Sequence, residues 1–291
     1  HVVNHAIFKG LLFLCAGSVI HATHTQNMDV LGGLAKKMPL TAVGMFIGIM
    51  GIAALPPVNG FVSEWFTYQG MLQGALEHGI FTRYAFTLSV VALALTGVLV
   101  GMHLKLYAVI FAGTPRDQKI WENAKESPIF MVLGMIVLMI GCIGFGIGAN
   151  VVVGYIQTAV NSIGGAGGYV ASHGINLTSN LGSVVSTPLI AIILCSTMVL
   201  PFAILAVMKA NREKPRETDP WACGFKYSSR MQMTGGPFTG DLRRIMNWLF
   251  KGERKVVTKG YFNPVEYHNH PKDIWWGLFY EPVIKFTEKV A

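Results

Sequence analysis

Lys9, Glu64, His103 and Lys105 each fall inside an apolar segment of the sequence. An ionised side chain there costs several kcal/mol unless it faces the interior of a helix bundle, water or a partner. Burial disfavours the charged form of such groups, which brings lysine and glutamate within reach of proton exchange near neutral pH. The chemistry open to these residues is therefore the taking up and release of protons inside a low-dielectric layer. Plainer readings compete at two of them. Lys105 stands close to the end of its segment, where its ammonium can reach the headgroup level along a buried stem. His103 suits a hydrogen-bonded packing histidine better than a relay. Lys9 and Glu64 lie deeper and have no counter-charge nearby in sequence, so a functional reading is preferred for both.

Spacing ties these groups to others. His5 and Lys9 are i,i+4 and share one helix face. His24 falls within about 60° of Lys9 around the same axis and roughly 22 Å further along it, so His5, Lys9 and His24 form a polar line. His21 lies about 120° off that face. In the second apolar segment, Leu55-Pro56-Pro57-Val58-Asn59-Gly60 interrupts the run. Consecutive prolines remove backbone donors and clash with preceding carbonyls, so Pro56, Pro57 and Gly60 predict a helix break between Leu55 and Phe61. Groups freed at membrane depth are tolerated only beside water or packed protein. Glu64, one turn past the break, sits near a helix N-terminus that favours a carboxylate. An acidic residue at a broken helix is a transporter feature.

The elements that must hold these residues follow from composition. The chain has 291 residues, 52% apolar and 13% charged, about half the charged share of an average soluble domain. Its apolar residues gather into runs of membrane-spanning length. Five spans are expected: Val2 to Thr23, a broken segment from Pro39 to Leu76, Tyr84 to Phe111, Pro128 to Gln157, and Val184 to Met208. All should be helical, since lipid leaves only helices or closed barrels able to satisfy the backbone and period-two alternation is absent. The fold class is thus an all-α polytopic membrane helix bundle with one discontinuous transmembrane helix and an extramembrane tail. Residues 1–208 hold eight Lys/Arg and six Asp/Glu, and residues 209–291 hold fifteen and nine. A bundle over 1–208 and a polar tail over 209–291 follow.

Basic residues recur in every second connection: Lys36 and Lys37, then Arg116, Lys119 and Lys125, then the opening of the tail. By the positive-inside rule these segments are cytoplasmic, the tail included. The net charge of +8 shows no stripe with interleaved aromatics, which argues for a membrane surface and against nucleic acid. Cys15, Cys142, Cys195 and Cys223 lack paired spacing and read as packing residues. The run Gly164-Gly165-Ala166-Gly167-Gly168 lacks the context of a nucleotide site. His268 and His270 could form an H-x-H metal pair, but no further ligand cluster supports them and a surface loop is the preferred reading. Trp275, Trp276, Phe279 and Tyr280 beside Lys272 and Lys285 suit an interfacial helix. The first run lacks a basic n-region and a cleavage site, so the chain reads as starting inside a longer protein.

The run NHAIFKGLLFLCAGSVIHATHTQNMDVLGGLAKKMP, followed by ALPPVNGFVSEW, closely resembles the antiporter-like proton-translocating membrane subunits of respiratory complex I, Mrp-type antiporters and membrane-bound hydrogenases. The resemblance implies that Lys9 matches the central-axis lysine, His5 and His24 match histidines of the hydrophilic axis, and Glu64 matches the charged residue after the broken helix. A glutamate there departs from the subunits that carry lysine. The tail segment PWACGFKYSSRMQMTGGPFTGDLRRI resembles the hydrogenase-4 component B and formate hydrogenlyase subunit 3 group. Only the C-terminal half of a family subunit is covered, about residues 1–250, and the first repeat's ion pair is absent.

By this resemblance the expected role is a non-catalytic, ion-translocating subunit of an oxidoreductase complex in the inner membrane of a prokaryote. The ion is a proton, with Na+ as the alternative. No residue set here suits a flavin, nickel, haem or iron–sulfur cluster, so no cofactor is expected and electron transfer falls to other membrane and peripheral subunits. A complex I subunit and an Mrp-type antiporter subunit are the competing readings.

Overall fold

The computed structural model describes residues 1–77, 79–101, 103–162, 171–179, 181–208, 218, 220–235, 252–257, 266–271 and 275–290. The chain divides into two units, His1–Gln232 and Met233–Ala291. The Gly164–Gly168 run lies outside the described residues.

The first unit is a helix bundle. Its helices are α1 (Val2–Thr23), α2 (Pro39–Ile52), α3 (Asn59–Glu77), α4 (Ile80–Gly101), α5 (Leu104–Ile110), α6 (Gln118–Asn123), α7 (Ile129–Ile147), α8 (Ala149–Ser162) and α9 (Thr187–Val207). Helices α1, α7 and α9, with Ile80–Gly97 of α4, are long and apolar enough to cross a membrane. The protein is a membrane protein. Helices α1, α2 and α7 share the core, in which Phe8, Leu11 and Cys15 meet Ala42, Met45, Ile49, Met135 and Cys142. Small residues let α2 approach closely, as is usual between membrane helices. A Cβ on Gly44 would stand 2.9 Å from Cys15 Sγ, and one on Gly51 would stand 2.8 Å from Phe8 Cβ.

The second segment is interrupted between Ile52 and Asn59, so Pro56 and Pro57 lie in the break while Gly60 lies in the first turn of α3. Two further interruptions differ from the expectation of a single discontinuous span. The third segment stops at Gly101 and resumes at Leu104 as α5. Its cause is local: the Val100 carbonyl accepts from the His103 N–H at 2.8 Å and from His103 Nδ1 at 2.7 Å, and a side chain that captures a carbonyl competes with the helical ladder. The fourth segment breaks after Ile147, where Gly148 ends α7 and α8 continues to Ser162.

The fold class is all-α, as expected, with a few short strands beside the helices. β1 (Ala171–His173), β2 (Asn176–Thr178) and β3 (Val184–Val185) form an antiparallel sheet in the order β1-β2-β3. Of the second unit, β4 (Gly252–Val257) pairs antiparallel with β5 (Glu266–Pro271). His268 and His270 therefore belong to a strand instead of a surface loop. The aromatic stretch forms a π-helical turn over Trp276–Tyr280 that runs into α10 (Glu281–Val290). Trp275 stacks on Phe279 and Trp276 on Tyr280.

Candidate functional site

The break is held by its own backbone and by α1. Ala54 N–H donates to Gly51 O at 3.2 Å, Leu55 N–H to Met50 O at 2.9 Å, and Val58 N–H to Leu55 O at 3.2 Å. These bonds satisfy groups that the prolines would otherwise leave bare. Asn59, fully buried, donates its amide to Asn4 O at 3.2 Å, and Asn4 Nδ2 donates back to Asn59 O at 3.0 Å. Asn59 Oδ1 is buried without a partner among the described residues. One turn on, Ser63 Oγ donates to Gly60 O at 3.0 Å and lies 3.1 Å from His1 Nδ1. A Cβ on Gly60 would collide with the Gly51 carbonyl oxygen, and one on Gly146 with the Pro57 carbonyl oxygen. Glycine at both positions lets α3 and α7 close directly on the break.

Lys9 is half-buried on α1 and lines a cavity of about 350 Å3 together with His103, Gln26, Thr25, Met45 and Leu106. The cavity therefore joins α1, the loop after it, α2 and the α4–α5 corner. Lys9 and His103 are its ionisable lining residues among those described. Lys105 is half-buried on α5 and does not line it. His5 is exposed, with its ring 5.2 Å from Phe8 and 5.7 Å from His1. His24 is exposed at the C-terminus of α1, where its left-handed φ of 53° lets its N–H return to Ile20 O. Neither histidine lines the Lys9 cavity, which brings His103 to Lys9; along α1, His5 stays one turn from Lys9 and His24 closes the helix.

Glu64 occupies the second turn of α3 and is half-buried. Its electrostatic neighbour is Tyr68, one turn along the same face. Among the described residues it has no ion pair or hydrogen bond. A second cavity, of about 380 Å3, is lined by α3 through Ser63, Thr67 and Gln73, by His1 and Asn4 of the chain's first turn, and by α8. Glu64 lines neither cavity. Since Gly51 meets Phe8 and Ser63 meets His1, Glu64 lies near the level where α1 begins, with Lys9 displaced toward the other end of the bundle.

That other end is knitted by polar contacts. Glu126 accepts from the N–H groups of Leu40, at 2.9 Å, and Thr41, at 3.3 Å, and from the Thr41 hydroxyl. A carboxylate thus caps α2, whose first turn begins with proline and leaves these donors orphaned. Ser18 Oγ extends the network to Thr41 at 2.9 Å and Ser127 at 2.6 Å. Arg116 donates to the carbonyls of Leu31 and Val109. Trp121 Nε1 donates to Gly33 O at 3.0 Å, and Lys37 sits 4.4 Å over the Trp121 ring. Gln232 pairs with Thr114 through both amide atoms, at 3.0 Å each, and Tyr227 OH reaches Thr114 Oγ1 at 3.1 Å. The loops carrying Lys36 and Arg116 and the stretch ending at Gln232 therefore meet at one end. Glu126 carried no signal in the sequence, because its partners on α2 lie far along the chain; Gln232 falls within the tail segment that carries the resemblance, and its pairing with Thr114 is what the fold adds. Among the described residues, no three His, Cys, Asp or Glu converge on a metal site.

A family model described as "NADH:quinone oxidoreductase/Mrp antiporter, TM" matches residues 1–112, the stretch that holds Lys9, the break, Glu64 and His103. Hydrogenase-4 component B of Escherichia coli (strain K12) is 31% identical over 299 residues, covering 100% of this chain and 44% of that protein. Formate hydrogenlyase subunit 3 of the same strain is 35% identical over 246 residues, 84% of this chain and 38% of that protein. The chain belongs to this antiporter-like family. The antiporter-like chain spans less than half the length of these curated relatives, 44% and 38%. Its fold is shared with a chain of a solved archaeal respiratory membrane complex, the membrane-bound sulfane sulfur reductase, at a TM-score of 0.63 and 21% identity. That match covers 100% of this chain and 47% of the other.

Proposed function

We propose that this antiporter-like chain is a proton-translocating subunit of a redox-driven respiratory complex of the membrane-bound hydrogenase or formate hydrogenlyase type. Lys9 and Glu64 are the groups that carry the proton, and electron transfer is done by partner subunits. The observation that carries the reading is Lys9: an amine on an apolar, membrane-length helix, half-buried at a cavity with no carboxylate among its described lining residues. A structural lysine in such a place would need a counter-ion; a proton carrier needs a cavity and a group to exchange with. The break beside α1 adds main-chain polarity at the same depth, and Glu64 follows it on α3. His5, His24 and Lys105 are further exchange points on the route. The meeting of the basic loops at one end supports a cytoplasmic placement of that end and of the tail in a prokaryotic inner membrane.

The test is proton translocation per electron by the whole complex in sealed vesicles. Lys9→Ala or Glu64→Gln should leave assembly intact and cut the proton yield at least tenfold; normal yield from both would remove the assignment. Partners identified by co-purification separate the readings, since NADH-oxidising subunits in place of hydrogenase subunits would indicate a complex I type. Translocation that requires Na+ would indicate an Mrp-type antiporter.

A further inference from the structure

We infer that His103 is the proton-exchange partner of Lys9, acting from the α4–α5 corner across the cavity the two residues share. The inference rests on the reading of Lys9 as a proton carrier and adds the group that faces it. Among the described residues lining that cavity, Lys9 and His103 are the ionisable ones. A lysine that loads and unloads a proton there therefore has, among the described residues, the His103 ring before it to accept the proton and return it.

The ring is prepared for that task by its backbone contact. Val100 O can only accept, so His103 Nδ1 at 2.7 Å is the donor, and Nδ1 carries a hydrogen. In the neutral ring this leaves Nε2 as the free acceptor. The same contact ends α4 and sets the corner at which α5 departs, so tautomer and ring position are fixed by one element. In the exchange, an Nζ–H bond of Lys9 breaks as an Nε2–H bond forms, directly or through water, and the positive charge passes from ammonium to imidazolium. Nδ1–H stays on Val100 O throughout. The return step is the reverse. The cavity, at about 350 Å3, exceeds the ~30 Å3 share of a single water several times over, and its polar members Thr25 and Gln26 give water partners. A packing histidine would need the Val100 bond and nothing more. Placement of the ring on the Lys9 cavity is what a packing role leaves unexplained.

The experiment uses the intact complex in sealed vesicles and three variants. His103→Phe keeps the ring volume and removes the acceptor; it should assemble and lose at least tenfold in protons moved per electron. His103→Ala opens space beside the cavity, and added imidazole should restore most of the loss, which rescue of a purely structural role would not do. Lys9→Ala should not respond to imidazole. Normal proton yield in His103→Phe, or no rescue of His103→Ala by imidazole, overturns the inference while leaving Lys9 as carrier. If His103→Phe does not assemble, His103→Gln is read by the same criterion, and normal yield overturns the inference again. Normal yield in Lys9→Ala would instead overturn the underlying reading, so the two failures are distinguishable.

Discussion

Two carboxylates in one bundle show how differently the fold treats its charges. Glu126 lies at the end where the basic loops meet, and its oxygens take the N–H groups of Leu40 and Thr41 and the Thr41 hydroxyl. Glu64 lies just past the break, with Tyr68 as its electrostatic neighbour and no hydrogen-bond partner among the described residues. The first charge is consumed by structure. The second is positioned by something other than its own contacts: the helix that carries it is pinned by the Asn4–Asn59 pair and by the close approach of Gly60 to Gly51. The same division separates Arg116, bonded to two carbonyls, from Lys9, which opens on a cavity. Charges that hold the bundle together should therefore change assembly when altered. Charges that do chemistry should change proton movement and leave assembly alone.

The largest effect that would break this comparison comes from the packing beneath Glu64. In Gly60→Ala the new methyl collides with the Gly51 carbonyl oxygen, a backbone atom that cannot swing aside as a side chain end could. Overpacking costs about 1–3 kcal/mol and occasionally more, and a rigid backbone partner puts this site at the upper end. The expected result is a large loss of assembled complex, read by size-exclusion profile and thermal unfolding in detergent. A variant that assembles at wild-type yield would mean that the break is looser than drawn here and that Glu64 has no fixed post.

Much of this arrangement was legible in the sequence. The apolar run Val2–Thr23 and the prolines at 56 and 57 identify α1 and the break, because both signals are local: run length sets a span, and proline removes a donor wherever it stands. Gly60 was legible as a residue of the break and yet belongs to α3, since its purpose is a contact with Gly51 that only the folded chain creates. His103 reads from sequence as a hydrogen-bonded packing residue, and the bond to Val100 fits that; its place on the Lys9 cavity depends on a residue far along the chain. The corner at Gly101–Leu104 was missed for the same reason that hydropathy cannot see it: the residues on either side are equally apolar. The strand pair holding His268 and His270 was missed because alternation over six residues is weak beside polar turns.

A middle-sized effect sharpens the contrast between the two carboxylates. Glu126→Gln retains an acceptor for one α2 donor and removes the charge, whereas Glu126→Ala leaves the Leu40 and Thr41 N–H groups without that acceptor and the Thr41 hydroxyl with Ser18 alone. Losing a helix cap costs about 0.5–2 kcal/mol, and leaving the part-buried Thr41 N–H bare adds about 1–3 kcal/mol. Stability should fall in the order wild type, Glu126→Gln, Glu126→Ala, by about 1 and about 3 kcal/mol. Proton yield per assembled complex should not change in either. A fall in proton yield at unchanged assembly would place Glu126 with Glu64 and dissolve the comparison.

The smallest effect concerns Ala54, whose φ of 50° puts an L-residue in the left-handed region inside the break. A Cβ in that region crowds the following carbonyl and costs roughly 1–2 kcal/mol. Glycine has no such penalty, but its unfolded chain is more mobile, which offsets part of the gain by about 0.4–1 kcal/mol. Ala54→Gly should therefore be neutral to slightly stabilising, within about 1 kcal/mol, by thermal unfolding of the assembled complex. The backbone bonds from Ala54 to Gly51 and from Leu55 to Met50 hold the same conformation with either residue, so proton yield should match wild type. If Ala54→Gly instead lowered proton yield without lowering stability, rigidity of the break itself would be part of the transfer step, and Glu64 would depend on it more closely than its distance along α3 implies.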